Sequence, residues 1–297
     1  MYRNLLALIA LCLLALSCGE KADKETKTET KQITVKADLR VAVMPTLDAL
    51  PLFIAKERGL FEKENLNVAL VPFTAHMDVD TALVGGSVDM AFTDIIRTEK
   101  LIAAKRVGLH YLTTTELHWD LITNRTARIN RLEQFGDKMV AMTRLSATEW
   151  LTYKTFDEVK TKAQVYGVQI NDIDVRLKML LNNEMDAEWL PEPQATAALA
   201  AGHKKLLDSD KYKTKFGVIA VRDSKKCDQQ KEDKLKKIYS MACDSINRNG
   251  VKAYANVIAK YCHVSKEVAE KVPQRTYTHA EQPREETLTL AKQYKRR

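Results

Sequence analysis

The sequence predicts an α/β fold of two lobes, on three observations. Short apolar strands alternate with helical segments from residue 39 to 114. The alternation restarts at residue 138 and runs to 207. One short pattern then recurs in matching places of both stretches.

The elements follow from local chemistry. Leu39 to Met44 is an apolar run bounded by Pro45, which reads as a buried strand. Pro51 suits a first helical turn, where its missing N–H costs nothing, and Gly59 suits a stop, so a helix is expected over 50–58. Leu66 to Val71 and Val88 to Phe92 read as strands and Val107 to Thr114 as extended. Met77 to Val84, stopped by Gly85-Gly86, and Ile95 to Lys105 read as helices. In the second half Lys138 to Met142, Gln164 to Ile170, Met185 to Trp189 and Lys205 to Leu207 are expected strands. Ala147 to Lys160, Asp174 to Leu181 and Pro193 to Ala201 are expected helices. Ser146-Ala147-Thr148-Glu149 fits a capping box, in which the serine accepts an N–H and the glutamate reaches back. Phe216 to Val221 reads as a strand, and Glu232 to Tyr261 and Glu285 to Tyr294 as outer helices.

The recurring pattern is Gly85 to Phe92 against Asn182 to Trp189. Each has two residues that tolerate positive φ at a helix stop, a polar residue, then apolar-Asp-x-x-aromatic. It predicts two similar lobes joined by a two-segment hinge. The first is 39–123 plus 214–297, and the second is 124–213, with crossings near Glu116 to Thr123 and Lys213 to Ala220.

The chain start predicts export. Arg3 is a positive n-region, and Leu5 to Leu16 is an apolar run too short to span a bilayer comfortably. Leu14 to Cys18 resembles a lipoprotein cleavage site, so 1–17 is expected to be removed and Cys18 acylated. The 18–38 stretch is rich in Lys, Glu and Thr and is expected to be a solvated tether. The protein is thus expected on a membrane, facing the periplasm or the cell exterior. The net charge of +8 is spread along the chain, which with export argues against a nucleic-acid partner. Cys227, Cys243 and Cys262 allow one disulfide and a free thiol, or three separate buried thiols. No metal-ligand spacing, phosphate loop or nucleophile elbow is present, so neither a metal, a cofactor nor a catalytic residue is expected.

Ligands on open α/β sheets bind beyond the carboxyl ends of strands. Two lobes facing each other would enclose a cleft lined by those loops, where helix N-termini offer unpaired N–H groups. The candidates are Thr46, Asp48, Phe73, His76, Thr93, Asp94, Trp119, Thr143, Arg144, Ser146, Trp189 and Glu192. Asp48, Thr93 and Ser146 can equally be helix caps, with Asp94 the ligand contact if Thr93 is the cap. Arg144 can pair an anionic ligand or a carboxylate across the cleft. Trp119 and Trp189 can stack on a planar ligand. Glu192 has a structural role as its alternative.

Three stretches carry a resemblance: LRVAVMPTLDALPLFIAKERGLFEKENLNVALVPF, ALVGGSVDMAFTD and MLLNNEMDAEWLPEPQATAAL. They resemble periplasmic solute-binding proteins of ABC importers, in the branch for nitrate, alkylsulfonates and thiamine pyrimidine precursors. The resemblance covers about residues 38 to 221, with a further match at Tyr277-Thr278-His279-Ala280. It implies a type II periplasmic-binding-protein fold, a small solute held between hinged lobes, and a permease with its ATPase as partners of a monomer. Glu188, Trp189, His76 and Asp78 depart from the branch pattern. The ligand expected is a planar heteroaromatic, thiamine-pyrimidine-like compound, with a sulfonate or nitrate as the alternative. A rival of another class is an enzyme like the pyrimidine synthase on this fold, which consumes its own histidine and bears a cysteine-rich iron motif. This chain has no cysteine cluster.

Overall fold

The computed structural model describes residues 37–105 and 107–294. The expected signal peptide, Cys18 and nearly all of the tether lie outside them. Asp38, assigned to the tether, already joins the body: its N–H donates to Asn67 O (2.9 Å) and its carboxylate accepts from Asn67 N (2.9 Å).

Ten strands form two sheets of five. The first holds β1 (Leu39–Val43), β2 (Val68–Pro72), β3 (Met90–Asp94), β4 (Leu109–Thr114) and β10 (Gly217–Arg222), in the order β2-β1-β3-β10-β4. The second holds β5 (Trp119–Thr123), β6 (Met139–Met142), β7 (Tyr166–Gln169), β8 (Ala187–Pro191) and β9 (Lys204–Asp208), in the order β7-β6-β8-β5-β9. In each sheet three parallel strands come first, and the fourth, arriving from the other sheet, runs antiparallel to both neighbours. The fold is thus the α/β, two-lobed arrangement expected, with one shift. Strand β5, counted with the first lobe, pairs with β8 and β9 of the second sheet, so the chain crosses just before Trp119.

The recurring pattern has one physical job in both sheets. Gly86 (φ 73°) and Asn183 (φ 61°) take the left-handed conformation that ends a helix. The aspartate that follows turns toward the neighbouring strand. Asp89 accepts the Arg40 N–H and Asp186 accepts the Met139 N–H, both at 2.9 Å. Each thereby sets the register of the strand it precedes against a parallel neighbour, β1 or β6.

Helices α1 (Leu50–Glu57), α2 (Leu60–Lys63), α3 (His76–Gly85) and α4 (Ile95–Ala103) belong to the first half. The second half carries α5 (Ala147–Asp157), α6 (Ile173–Leu181) and α7 (Gln194–Ala200). The C-terminal part holds α8 (Gln229–Asn249), α9 (Ala255–Cys262), α10 (Lys266–Ala269) and α11 (Glu285–Gln293). The single helix expected over 232–261 is broken at Gly250, whose φ of 81° no helix allows. Helix α8 lays Leu235, Ile238, Tyr239, Cys243 and Ile246 into the core beside α1 and the first sheet. The 147–160 helix ends at Asp157. Its capping box is rearranged: Ser146 accepts from Thr148 N (3.1 Å), but Glu149 accepts from Leu145 N (2.8 Å), not from Ser146. Cys227, Cys243 and Cys262 are all free thiols, so the disulfide alternative falls; burial pushes Cys243 up to about 12.

The two crossing segments run side by side. Thr115 N donates to Gly217 O (2.8 Å), and Lys215 pairs with Glu116 (2.9 Å). A Cβ on Gly217 would lie 2.2 Å from Thr115 Oγ1 and 2.5 Å from Leu117 Cβ. Gly217→Ala is therefore expected to cost about 1–3 kcal/mol of stability, the usual range for overpacking. Urea unfolding checks it; a cost under 0.5 kcal/mol, on the scale of a neutral surface change, would show that the segments part freely.

At the other end of the first sheet, His110 sits between Asp223 (2.6 Å) and Glu232 (2.9 Å). Partial burial lowers its pKa, but the two carboxylates outweigh that and raise it. The pair's stabilisation is full below the ordinary histidine value and is lost as pH rises through the raised one. His110→Phe should therefore cost more stability at pH 5.5 than at pH 9, by less than about 1 kcal/mol because the ring is half exposed. An equal cost at both pH values would remove the carboxylates as the cause.

Candidate functional site

The carboxyl ends of β1, β3 and β8 meet between the sheets around a small internal cavity of about 10 Å³. That is the threshold for one water molecule. Its walls are Met44, Thr46 and Asp48 after β1, Phe92 and Thr93 on β3, His76 at the start of α3, Leu117 and Trp119 at the crossing, Ile173 on α6, and Pro191 on β8. The cavity is small because the lobes bond directly. Leu47 N donates to Glu192 O (2.9 Å), Gln194 Nε2 to Pro45 O (2.8 Å), Ile173 N to Thr74 O (3.0 Å) and Thr74 Oγ1 to Asp172 Oδ2 (2.5 Å).

Four polar side chains, Thr46, Asp48, His76 and Thr93, line this space. Asp48 caps no helix; it accepts hydrogen bonds from Thr46 Oγ1 (2.6 Å) and Thr115 Oγ1 (3.0 Å). Burial pushes its pKa up to about 6, against the pull of both hydroxyls. His76 is 6% exposed, and its Nδ1 has no partner among the described residues. Burial, then the Arg97 and Arg176 charges, drive its pKa well below the ordinary value, so the ring is neutral. Thr93 is 3% exposed and its Oγ1 also lacks a partner. The cap is Asp94, which accepts from Arg97 N (3.0 Å). The expected exchange therefore runs the other way: the aspartate caps and the threonine is left facing the cavity. Trp119 also lines the cavity and packs on Phe216, 6.4 Å between centroids.

The remaining candidates lie elsewhere, each for a stated reason. Trp189 is fully buried in the second lobe's core and donates Nε1 to Thr152 Oγ1 (3.0 Å), so it cannot stack on a solute. Thr143 is taken by Arg176, Ser146 caps α5, and Glu192 accepts from Thr196 N (3.1 Å) at the start of α7. Phe73 is half-buried and packs with a satellite cluster around Val79 and Leu83. Arg144 is exposed on an outer groove; its carbonyl accepts from Arg97 Nη1 (3.0 Å).

Several cavity residues were not foreseen: Met44, Phe92, Leu117 and Ile173. Phe92 was findable, because it is the aromatic of the recurring pattern. Also unforeseen is Arg176, 1% exposed inside α6. Its guanidinium donates to Ile170 O (2.7 Å), Trp189 O (2.9 Å) and Thr143 Oγ1. It thus ties the carboxyl ends of β6, β7 and β8 from beneath. Glu188, fully buried on β8, has no hydrogen-bond partner on either oxygen among the described residues. Burial pushes its pKa up to about 9 despite Arg176, so it is protonated at neutral pH. A raised carboxyl pKa holds its stabilisation below the unfolded value and loses it as pH climbs toward the folded one. Glu188→Gln should therefore gain stability relative to the unchanged protein between pH 5 and pH 9. A constant difference over that window would show that Glu188 ionises in the folded state.

Comparisons with known proteins bear on the family and the fold. The NMT1-like family profile matches residues 34–204, more than half of the chain. The alkanesulfonate-binding protein of Xanthomonas axonopodis pv. citri, solved with MOPS bound, superposes with a TM-score of 0.68 at 15% identity, over 81% of this chain and 86% of that one. The periplasmic aliphatic sulphonate binding protein of Escherichia coli gives 0.66 at 17%, over 85% and 83%. The periplasmic nitrate-binding protein of Synechocystis PCC 6803 gives 0.65 at 15%, over 77% and 68%. No curated protein matches by sequence. At these identities the solved structures speak for the fold. The chain is a member of the NMT1-like family, built on the periplasmic-binding-protein fold.

Proposed function

We propose that the protein is an extracytoplasmic receptor, anchored through Cys18, that captures a small solute between its lobes and hands it to an ABC permease and its ATPase. The observation that carries this is the cavity at the facing strand ends, where Asp48, His76 and Thr93 turn polar groups inward. At 10 Å³ this cavity has no room for a ring, so capture requires the lobes to part about the 115–118 and 213–216 crossings and to close around the solute less far than they do here. Solute then favours closure only by its higher affinity for the closed form.

The lining favours a planar heteroaromatic compound with amino donors, such as a thiamine-pyrimidine-like molecule. Asp48 accepts from an amino group, Thr93 and neutral His76 supply matching hydrogen bonds, and Phe92 and Trp119 give an apolar ring wall. Among the described residues no lysine or arginine lines the cavity. An anion about 4 Å from ionised Asp48 would meet roughly 4 kcal/mol of repulsion at an effective dielectric near 20. The alternative, a sulfonate or nitrate receptor, draws on what the structural neighbours are named for binding. The enzyme alternative draws on His76 in the cavity, but Cys243 and Cys262 are buried singly and no three-residue metal cluster exists among the described residues.

A thermal-shift panel tests the choice. A ligand at about 100 times its dissociation constant adds about 2.7 kcal/mol of stability. Aminopyrimidines are expected to raise the melting temperature. A shift with taurine or nitrate and none with aminopyrimidines would overturn the heteroaromatic reading and keep the receptor. Turnover of pyridoxal phosphate with loss of His76 would overturn the receptor.

A further inference from the structure

Outside the internal cavity, a groove of about 670 Å³ runs along the seam between the lobes. The first lobe supplies Met77, Val84 and Leu101 with Arg97 and Lys100 from α3 and α4. The second supplies Arg144, Leu145 and Gln169. The two sides are stitched by Arg97 Nη1 donating to Arg144 O (3.0 Å), so the groove is complete only when the lobes are closed.

Its chemistry is one-sided. Arg97, Lys100 and Arg144 are cations; the one lining carboxylate, Asp80, is paired with Arg97. Lys100 donates to Tyr294 O, whereas the Arg144 guanidinium has no partner among the described residues. Between these charges lie apolar side chains held in water: Met77 is 49% exposed and Leu145 38%. Leu145 is moreover held at φ 52°, a left-handed conformation that a leucine adopts at a cost. Its N–H is pinned by Glu149 (2.8 Å), the bond that displaces the expected capping box. A strained backbone that displays an apolar side chain beside an unpaired arginine is an arrangement that folding alone does not call for.

We infer that this groove is a second binding site, for a medium-chain alkyl anion: one acidic head on Arg144, and a tail of several carbons along Met77, Val84, Leu101 and Leu145. A carboxylate and a sulfonate share this chemistry. Such a ligand touches both lobes and favours the closed form.

Titration calorimetry of butanoate, hexanoate, octanoate and 1-octanesulfonate, all below micelle formation, tests it on the whole protein. Saturable one-to-one binding is expected, tightening by about fourfold per added methylene on the tail. Arg144→Gln should weaken octanoate about tenfold. Leu145→Asn, a residue at ease in the left-handed conformation, should fold normally and flatten the chain-length dependence. Asp48→Asn should leave octanoate binding unchanged, which separates this site from the cavity. The two head groups distinguish a carboxylate from a sulfonate source. Absence of saturable binding, equal binding in all variants, or loss of binding with Asp48→Asn would each overturn the proposal.

Discussion

Arg176→Met is expected to lower the unfolding free energy by about 2–5 kcal/mol, from leaving several buried hydrogen-bond acceptors without their donor. Three acceptors lose their donor at once: Ile170 O, Trp189 O and Thr143 Oγ1. Each buried acceptor left unpaired costs about 1–3 kcal/mol, softened by local rearrangement. Methionine keeps much of the volume, so the loss reports hydrogen bonds more than a cavity. The carboxyl ends of β6, β7 and β8 are no longer tied, so solute affinity should fall as well. Urea unfolding with an unchanged m-value is the check. A loss below 1 kcal/mol would mean that the guanidinium's bonds are replaced by water at no cost.

Asp48→Asn is expected to weaken aminopyrimidine binding by about 10- to 100-fold, since a hydrogen bond to a charged group contributes about 1.5–3 kcal/mol. Stability should change little: Asn Oδ1 still accepts from Thr46, Nδ2 can donate to a turned Thr115 hydroxyl in place of the lost acceptor, and a costly buried carboxylate disappears. The pH dependence gives a second reading. Asp48 ionises near 6 in the unliganded protein, so affinity that relies on its charge should decline as pH drops below 6. The Asn variant should show a flat profile there. Equal affinity in both proteins would place the solute elsewhere.

The alternation of strands and helices was legible because its marks are local: apolar runs, Pro51, and residues that tolerate positive φ at Gly86 and Asn183. The lobe repeat was legible because Asp89 and Asp186 perform the same backbone contact. What was not legible is which way a side chain points when both faces of a strand are buried. Trp119 opens β5 and Trp189 sits at the centre of β8, and only Trp119 reaches the cavity. Adjacent polar residues pose a related problem. Thr93-Asp94 and the Ser146 to Glu149 segment each contain two residues able to cap, and the choice depends on tertiary contacts. Arg176 was invisible for another reason: a charge within a helix ordinarily faces solvent, and its three acceptors lie on separate segments 6, 13 and 33 residues away.

Native mass spectrometry of the protein purified from its host tests the central claim most directly. The account predicts one small molecule bound per chain, released when the protein unfolds and much reduced in Asp48→Asn. The bare chain alone, or a permanent mass change confined to His76, would contradict a solute receptor.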